Sequence, residues 1–190
     1  GDQYLRLDQA AFEPLELFST ESVSWPSLSR WVGRESWEQM ATSPRAERWR
    51  VRFVTPTAFR ATVGEGRSVV WVLPDPVRCW QSWVRSWNTF APQTYEEEPV
   101  GALARRVAIG MHQLRTESVR LGHVHELGFV GRCTYVAVGN FSDAELSVLT
   151  ALWRLSFYCG TGRKTAMGMG QTLALVGGCG EGGIQEARSK

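Results

Sequence analysis

Hydrophobic and polar residues follow patterns that predict two strands and a helix in the first half of the chain. The stretch RWRVRFV, residues 48–54, alternates polar and apolar positions, which is the period of a half-buried strand. The more continuously apolar SVVWVL, residues 68–73, predicts a second and more fully buried strand. Asp75 and Pro76 then supply an N-cap and a first helical residue. The tryptophans that follow recur at helical spacing, so we expect core positions rather than a base-stacking platform; they are Trp80, Trp83 and Trp87.

The second half contains a strand pair, a helix and a last strand. SVRLGHVHEL and GFVGRCTYVAVG read as two strands separated by a short turn near Gly128. Ser142 and Glu145 have the spacing of a capping box, and an apolar stripe follows them. Gly160 stands where a helix commonly ends, and QTLALV, residues 171–176, predicts a final short strand.

Taken in order, residues 48–176 read strand, helix, strand, strand, helix, strand, with an extra strand or hairpin after Arg60. This is the βαββαβ order of an α+β, ferredoxin-like (RRM-like) domain. QYLRLDQ, residues 3–9, looks like a lone strand, which we expect to close a sheet whose other strands precede Gly1. A tryptophan-rich helix is predicted at residues 31–40.

These patterns give a three-part division of the chain. We expect residues 1–46 to be the end of a preceding ferredoxin-like domain plus a linker. Residues 47–176 form the C-terminal domain, and the glycine-rich, charged residues 177–190 form a flexible tail.

Composition narrows the function only slightly. Hydrophobic residues make up 43% of the 190 positions and charged residues 21%, as in ordinary globular domains. No apolar run has the roughly 18–20 residues of a membrane span, and the start lacks the regions of a signal peptide, so we expect a cytoplasmic protein with no membrane partner. The four cysteines are far apart and favour buried thiols over a metal site or disulfides, so no metal or cofactor is expected.

Charge is concentrated rather than large. The net charge is only +2, but residues 99–175 carry eight cations and four acids, and 19 of the 21 basic residues are Arg. Arginine binds phosphate bidentately and stacks on bases, which suits a nucleic-acid partner. An arginine-rich genome composition explains the same bias, and both interpretations stay open.

The segment GTGRKTAMGMGQ, residues 160–171, combines four glycines with two adjacent cations. It is not a phosphate-binding P-loop, because Arg163 separates glycine from lysine and the loop runs from a helix into a strand. Exposed N–H groups together with Arg163 and Lys164 would suit successive phosphates of a chain. Alternatively, Gly168 and Gly170 only permit tight passage while the two cations are solvated. The residues alone leave this choice open.

Three motifs in one order carry a family resemblance: FVTPTAFR, GFVGRCTYVA and YCGTGRKTAMGMGQ. Together they resemble the CRISPR-associated repeat-RNA endoribonuclease family of the RAMP superfamily, over roughly residues 3–176. The hallmark of that family is a C-terminal loop of the form G-x-G-x5-G-x-G. The resemblance implies RNA contacts from that loop, which here comprise Gly160, Gly162, Arg163, Lys164, Thr165, Gly168 and Gly170.

The resemblance also implies an activity. Members typically have two ferredoxin-like domains in tandem and cleave CRISPR precursor transcripts into guide RNA without metal. The implied partner is CRISPR repeat RNA, with other CRISPR-associated subunits as further candidates. The strand at residues 3–9 would match the last strand of the first domain.

The sequence differs from the family pattern in its candidate catalytic residues. Its usual acid/base histidine lies on a helix of the first domain, most of which this sequence lacks. Metal-independent cleavage needs a base, an acid and positive charge for the phosphorane. The candidates in this chain are His123 and His125, which share a face if their strand is regular, and less favourably His112.

We therefore expect the chain to bind repeat RNA and to cleave it poorly or not at all. One alternative is a non-catalytic RAMP subunit that holds guide RNA in an effector complex. Another, from a different class, is a protein–protein module that uses a tryptophan-rich surface.

Overall fold

The computed structural model describes the backbone of Leu5–Leu7 and Ala10–Phe12, and residues 32–175 in full. The chain divides between Ser36 and Trp37 into two compact units. This division falls ten residues before the boundary expected after residue 46. A short helix α1, Trp37–Ala41, belongs to the second unit, where Trp37 meets Trp87 edge-on at 5.2 Å. The tail predicted at residues 177–190 lies outside the described residues.

The first unit contains two short paired strands. Strand β1, Leu5–Leu7, runs antiparallel to β2, Ala10–Phe12, with Leu5 opposite Phe12. The prediction of a lone strand at residues 3–9 was therefore wrong, because a partner follows almost at once in sequence. Pairing across so short a connection costs little loop-closure entropy.

The second unit has the ferredoxin-like architecture expected from the sequence. The elements of the unit after α1 are β3 Arg48–Thr57, β4 Phe59–Val63, β5 Arg67–Trp71, α2 Pro76–Phe90, α3 Glu97–Ala104, β6 Val107–Leu121, β7 Val124–Ala137, α4 Asp143–Cys159 and β8 Thr172–Ala174. The four-stranded antiparallel sheet has the order β6-β7-β3-β8, with helices placed between strands as the βαββαβ order requires.

The core lies between the helices and one face of this sheet. Strand β3 buries every second residue against the helices: Trp49, Val51 and Phe53. Trp80 of α2 meets Trp49 and Tyr135 edge-to-face, with ring centroids 5.3 and 5.2 Å apart. Burying one side chain of this size contributes about 1.5–3 kcal/mol. The prediction that the α2 tryptophans belong to the core is confirmed.

The strand predicted at residues 68–73 belongs to a separate hairpin and not to the main sheet. Among the described strands, β5 pairs with β4 alone, and the two form their own two-stranded sheet. Val70 is 45% exposed, so the expectation of a strand more fully buried than β3 was wrong. A short apolar run does not by itself reveal which surface will cover it.

The predicted position of the turn between the two long strands was also wrong. Strands β6 and β7 form one long hairpin whose turn is at Gly122 and His123, not near Gly128. Strand β7 runs through Gly128 because the end of β3 passes very close there. A Cβ at that position would lie 2.6 Å from the Thr57 nitrogen. Glycine inside a strand often marks such an approach rather than a turn.

No helix in the described part of the chain is long and apolar enough to cross a membrane.

Candidate functional site

The three motifs of the family resemblance meet in space at the end of β3, beside the glycine-rich segment 160–171, called here the glycine loop. The loop lies against the end of β3, where the Gly170 N–H donates to the Pro56 carbonyl at 3.0 Å. The Arg163 N–H donates to the Ala58 carbonyl at 2.9 Å, just before β4 begins. Pro56 also lies against Gly128 of the β7 motif, where an added Cβ would come within 2.7 Å of the Pro56 carbonyl carbon. Segments far apart in sequence therefore build one structure.

The ends of the glycine loop are tied together through buried hydrogen bonds. The Thr161 N–H donates to the Gly170 carbonyl at 2.8 Å, which closes the loop on itself. The Thr161 hydroxyl accepts from the Trp83 indole N–H at 2.9 Å and shares a 2.7 Å hydrogen bond with the Thr172 hydroxyl. All three of these side chains are buried. Helix α2 and strand β8 therefore hold the loop in one shape.

The glycines of the loop mostly make room for the protein's own backbone. A Cβ at Gly162 would lie 2.3 Å from the Ala58 carbonyl oxygen, and one at Gly170 would lie 2.0 Å from that of Thr161. Gly160 is similarly crowded by Gly170. Only at Gly168 is the added position open, with nothing within 4 Å. The tight passage that the sequence allowed for Gly168 and Gly170 is thus found at Gly170 and not at Gly168.

Few backbone donors of the loop remain available to a ligand. Most of its N–H groups donate to acceptors within the second unit. The N–H groups of Lys164, Thr165 and Ala166 have no acceptor among the described residues. Lys164 adopts a left-handed conformation at φ 59°, and a single 3₁₀ turn, Thr165–Met167, follows it. Residues 165–167 are exposed and Lys164 is partly exposed, so the three donors lie in the exposed part of the loop; residues 164–167 are called here the exposed crown.

The two loop cations, Arg163 and Lys164, are ion-paired and partly buried. Glu126 of β7 accepts from Lys164 Nζ through Oε1 at 2.5 Å and faces Arg163 Nη1 through Oε2 at 3.2 Å. Its side chain is only 9% exposed, and those of the two cations are 26% and 25% exposed. The hydrogen bond from Lys164, together with the charge of Arg163, lowers the pKa of Glu126 below its ordinary value. Sequence reasoning missed Glu126, because nothing in its neighbourhood along the chain links it to the loop.

The three histidines are not joined to one another by a hydrogen bond in this structure. His123 lies in the turn and His125 in β7, so the regular strand that would give them a common face begins only at Val124. Successive strand residues point to opposite faces, so exposed His125 points away from the side on which Glu126 meets the loop. His112 lies far along β6, opposite Cys133. No side-chain hydrogen bond or ion pair joins any of the three to another described residue.

A second basic surface lies on the face of the sheet opposite the helices. Arg48, Arg50 and Arg52 of β3 alternate with its buried residues and so share this face. Arg132 of β7 lies directly opposite Arg52. None of the four guanidinium groups has an ion-pair or hydrogen-bond partner among the described residues. The alternation RWRVRFV carries this signal, although by itself it predicts only a strand. These four residues are called the arginine face.

The remaining potentially reactive groups are buried or scattered. Burial raises the pKa of the Cys133 thiol to about 11, and it also raises that of Cys79, whose thiol contacts the Tyr135 hydroxyl at 3.2 Å. This agrees with the prediction of buried thiols for these two cysteines. Within residues 32–175, no three His, Cys, Asp or Glu side chains lie close enough together to hold a metal ion.

Comparison with known proteins identifies the family. The family model described as CRISPR-associated endoribonuclease Cas6 matches residues 51–172. The chain belongs to the Cas6 family. It is 30% identical over 130 residues to a Cas6 endoribonuclease of Mycobacterium tuberculosis, a match that covers 67% of this chain and 38% of the relative. The matched part therefore spans well under half of that protein.

Solved Cas6 structures share the fold of this chain. Thermus thermophilus Cas6 is 29% identical with a TM-score of 0.66, and the match covers 76% of this chain and 60% of that one. A Cas6 product complex is 28% identical with a TM-score of 0.72, covering 92% of this chain and 67% of the other. A Cas6 substrate mimic complex matches at the same identity and TM-score.

Proposed function

We propose that this chain is the C-terminal portion of a Cas6 endoribonuclease, and that it binds CRISPR repeat RNA during metal-independent processing of precursor transcripts into guide RNA. The observation that carries the proposal is that the three family motifs pack together at one place, where the segment around Pro56 contacts both the glycine loop and Gly128 of the β7 motif. That loop presents three successive backbone donors beside two cations. Such contacts give affinity and register on a phosphate chain rather than sequence reading.

The arginine face supports the same function. Its arginines have no acidic partners among the described residues, and two of them face each other across neighbouring strands, a like-charge arrangement that disfavours the sheet. A polyanion placed on this face relieves that repulsion. We propose that RNA contacts both the glycine loop and this face. The roles of Gly160, Gly162, Arg163, Lys164, Thr165, Gly168 and Gly170 as RNA contacts remain part of the proposal.

We further propose that cleavage depends on residues outside this chain. All three histidines lie on the β6–β7 hairpin, and none has a hydrogen-bonded side-chain partner among the described residues. This arrangement gives no support for an acid/base pair within the chain. The first unit, residues 1–36, would then include the end of a preceding ferredoxin-like domain, as the family resemblance implies. On this proposal the chain binds repeat RNA in the cytoplasm and cleaves it poorly or not at all.

The alternatives fare differently. A non-catalytic subunit that holds guide RNA in an effector complex would use the same loop and face, and only a cleavage assay separates the two functions. A protein–protein module built on exposed tryptophans has little support. Most of the tryptophans within residues 32–175 are buried, namely Trp49, Trp80, Trp83, Trp87 and Trp153.

The test is to incubate the purified chain with labelled repeat RNA and excess chelator, recording a gel shift and any cleavage product over a range of salt concentrations. We expect salt-dependent binding with little or no cleavage, because phosphate contacts weaken as salt rises. Efficient cleavage would place the active site within these 190 residues and bring His123 and His125 back as candidates. An absence of binding at low salt would overturn the proposed function.

A further inference from the structure

The Glu126 carboxylate stands where an RNA-binding surface would be expected to avoid negative charge. It lies on β7, three residues beyond the turn residue His123, and reaches the glycine loop 38 residues further along the chain. Each carboxylate oxygen takes one cation, Lys164 at 2.5 Å and Arg163 at 3.2 Å. With two positive charges and one negative charge, the group formed by Glu126, Arg163 and Lys164, called here the Glu126 triad, has a net charge near +1. The site therefore gives up part of its attraction for phosphate.

What the triad gains is a fixed geometry. Long cationic side chains normally sample many rotamers, and a ligand that immobilises them must overcome that entropy. Here Arg163 and Lys164 are already held by a carboxylate that is 9% exposed. An arginine has five N–H donors and a lysine three, so donors remain beyond those that face Glu126. These remaining donors lie beside the backbone N–H groups of residues 164–166, which have no acceptor among the described residues.

We propose that Glu126 is a specificity-determining residue, which restrains Arg163 and Lys164 so that correctly placed RNA uses them while other polyanions gain little. This inference rests on the proposed function. Discrimination between partners commonly combines attraction for the right one with a penalty for the wrong one. A phosphate that arrives without the other loop contacts meets a partly neutralised site and an adjacent carboxylate. The cognate repeat, which also engages the free N–H groups, uses the prearranged donors.

The test compares two RNAs on matched variants of the full 190-residue chain. Labelled repeat RNA from the CRISPR array of the source genome and a scrambled RNA of equal length are titrated over a range of salt concentrations. Glu126→Gln keeps the side-chain size and removes the negative charge. Glu117→Gln is the control, because Glu117 lies on the same hairpin but pairs with Arg115. Thermal unfolding of each variant reports on its fold.

We expect Glu126→Gln to bind scrambled RNA several-fold more tightly and to lose several-fold in the ratio of repeat to scrambled affinity. Its salt dependence for scrambled RNA should steepen by about 0.7 in log–log slope, the value for one further single-strand phosphate contact. Glu117→Gln should change neither quantity. Adding Lys164→Met to Glu126→Gln should reverse most of the gain in affinity for scrambled RNA, because it removes one of the two cations that no longer pair with residue 126.

Each failure has a separate signature. If the wild-type chain binds no RNA at low salt, the proposed function and this inference fall together. If the wild type prefers its repeat and Glu126→Gln keeps the same ratio, only the inference is overturned, and Glu126 is a structural ion pair. Should Glu126→Gln not fold, Glu126→Asp is measured instead. It keeps the charge but cannot reach both cations, and an unchanged affinity ratio there would also overturn the inference.

Discussion

The glycine loop and the arginine face show two opposite ways of presenting positive charge. In the loop, Arg163 and Lys164 are partly buried and held by one carboxylate. On the sheet, four guanidinium groups have no partner among the described residues, and Arg52 faces Arg132 directly. The comparison teaches that counting cations does not locate a phosphate site. In the loop, ion pairs fix the positions of the cations but leave little net charge. On the arginine face the net charge is larger, and no ion pair among the described residues fixes the side chains.

The largest expected effect is on the loop side of this comparison. Gly170→Ala would place a Cβ 2.0 Å from the Thr161 carbonyl oxygen at a positive φ. Because backbone cannot move aside cheaply, we expect a reduction of at least about 3 kcal/mol in unfolding free energy, or failure to fold. Gly168→Ala is the control, since its φ is also positive but its surroundings are open, and it should cost only about 1–2 kcal/mol. Urea unfolding measures both, and equal costs would contradict the view that the loop is shaped by its own backbone.

The hydrogen bonds that close the loop should matter next. Thr161→Val keeps the shape of the side chain but leaves the buried Trp83 N–H without its acceptor. An unsatisfied buried donor costs about 1–3 kcal/mol, which chemical denaturation would detect. Thr165→Val, on the exposed crown, should stay within about 0.5 kcal/mol of wild type. If Thr161→Val were equally neutral, the loop would not depend on this anchor.

The arginine face should respond in the opposite sense, through binding rather than stability. Replacing Arg52 and Arg132 with Gln removes a like-charge pair, so we expect stability to be unchanged or to rise by up to about 1 kcal/mol. RNA affinity should fall, and the salt slope should become shallower by about 0.7 for each phosphate that the variant no longer binds. The charge-matched control is Arg85→Gln with Arg105→Gln, two cations on helix α2 and at the C-terminal end of α3 that already pair with acids. An equal fall in affinity in that control would remove the special role of the face.

The smallest effect concerns pH and the Glu126 triad. The neighbouring cations hold the pKa of Glu126 below its ordinary 4.5 in the folded protein, so the unfolded chain binds the proton more readily. Stability from such a group is complete above the unfolded pKa and is lost as pH falls through the folded one. The difference in unfolding free energy between wild type and Glu126→Gln should therefore be flat above about pH 5 and shrink at lower pH. Urea unfolding at several pH values tests this, and a difference that persists unchanged into acid would contradict the ion-pair assignment.

Sequence patterns identified the elements that depend on local chemistry. The α2 helix begins where Asp75 and Pro76 predicted, and the Asp75 carboxylate accepts from the Arg78 N–H at 2.9 Å. Helix α4 has the predicted capping box of Ser142 and Glu145. Such signals need only a few neighbouring residues, which is why the sequence reveals them. The prediction of a turn at Gly128 failed for the opposite reason, because that glycine makes room for the backbone of Thr57, a residue 71 positions away.

The sequence by itself determined the βαββαβ order, the buried tryptophans of α2 and the three motifs that identify the Cas6 family. Each of these depends on periodicity, capping or order along the chain. Only the tertiary structure decided what the glycine loop touches, because backbone contacts with Pro56 and Ala58 and the ion pairs with Glu126 join segments with no pattern in common. A charge is available or restrained according to its neighbours in space, and the chain's fold sets those neighbours.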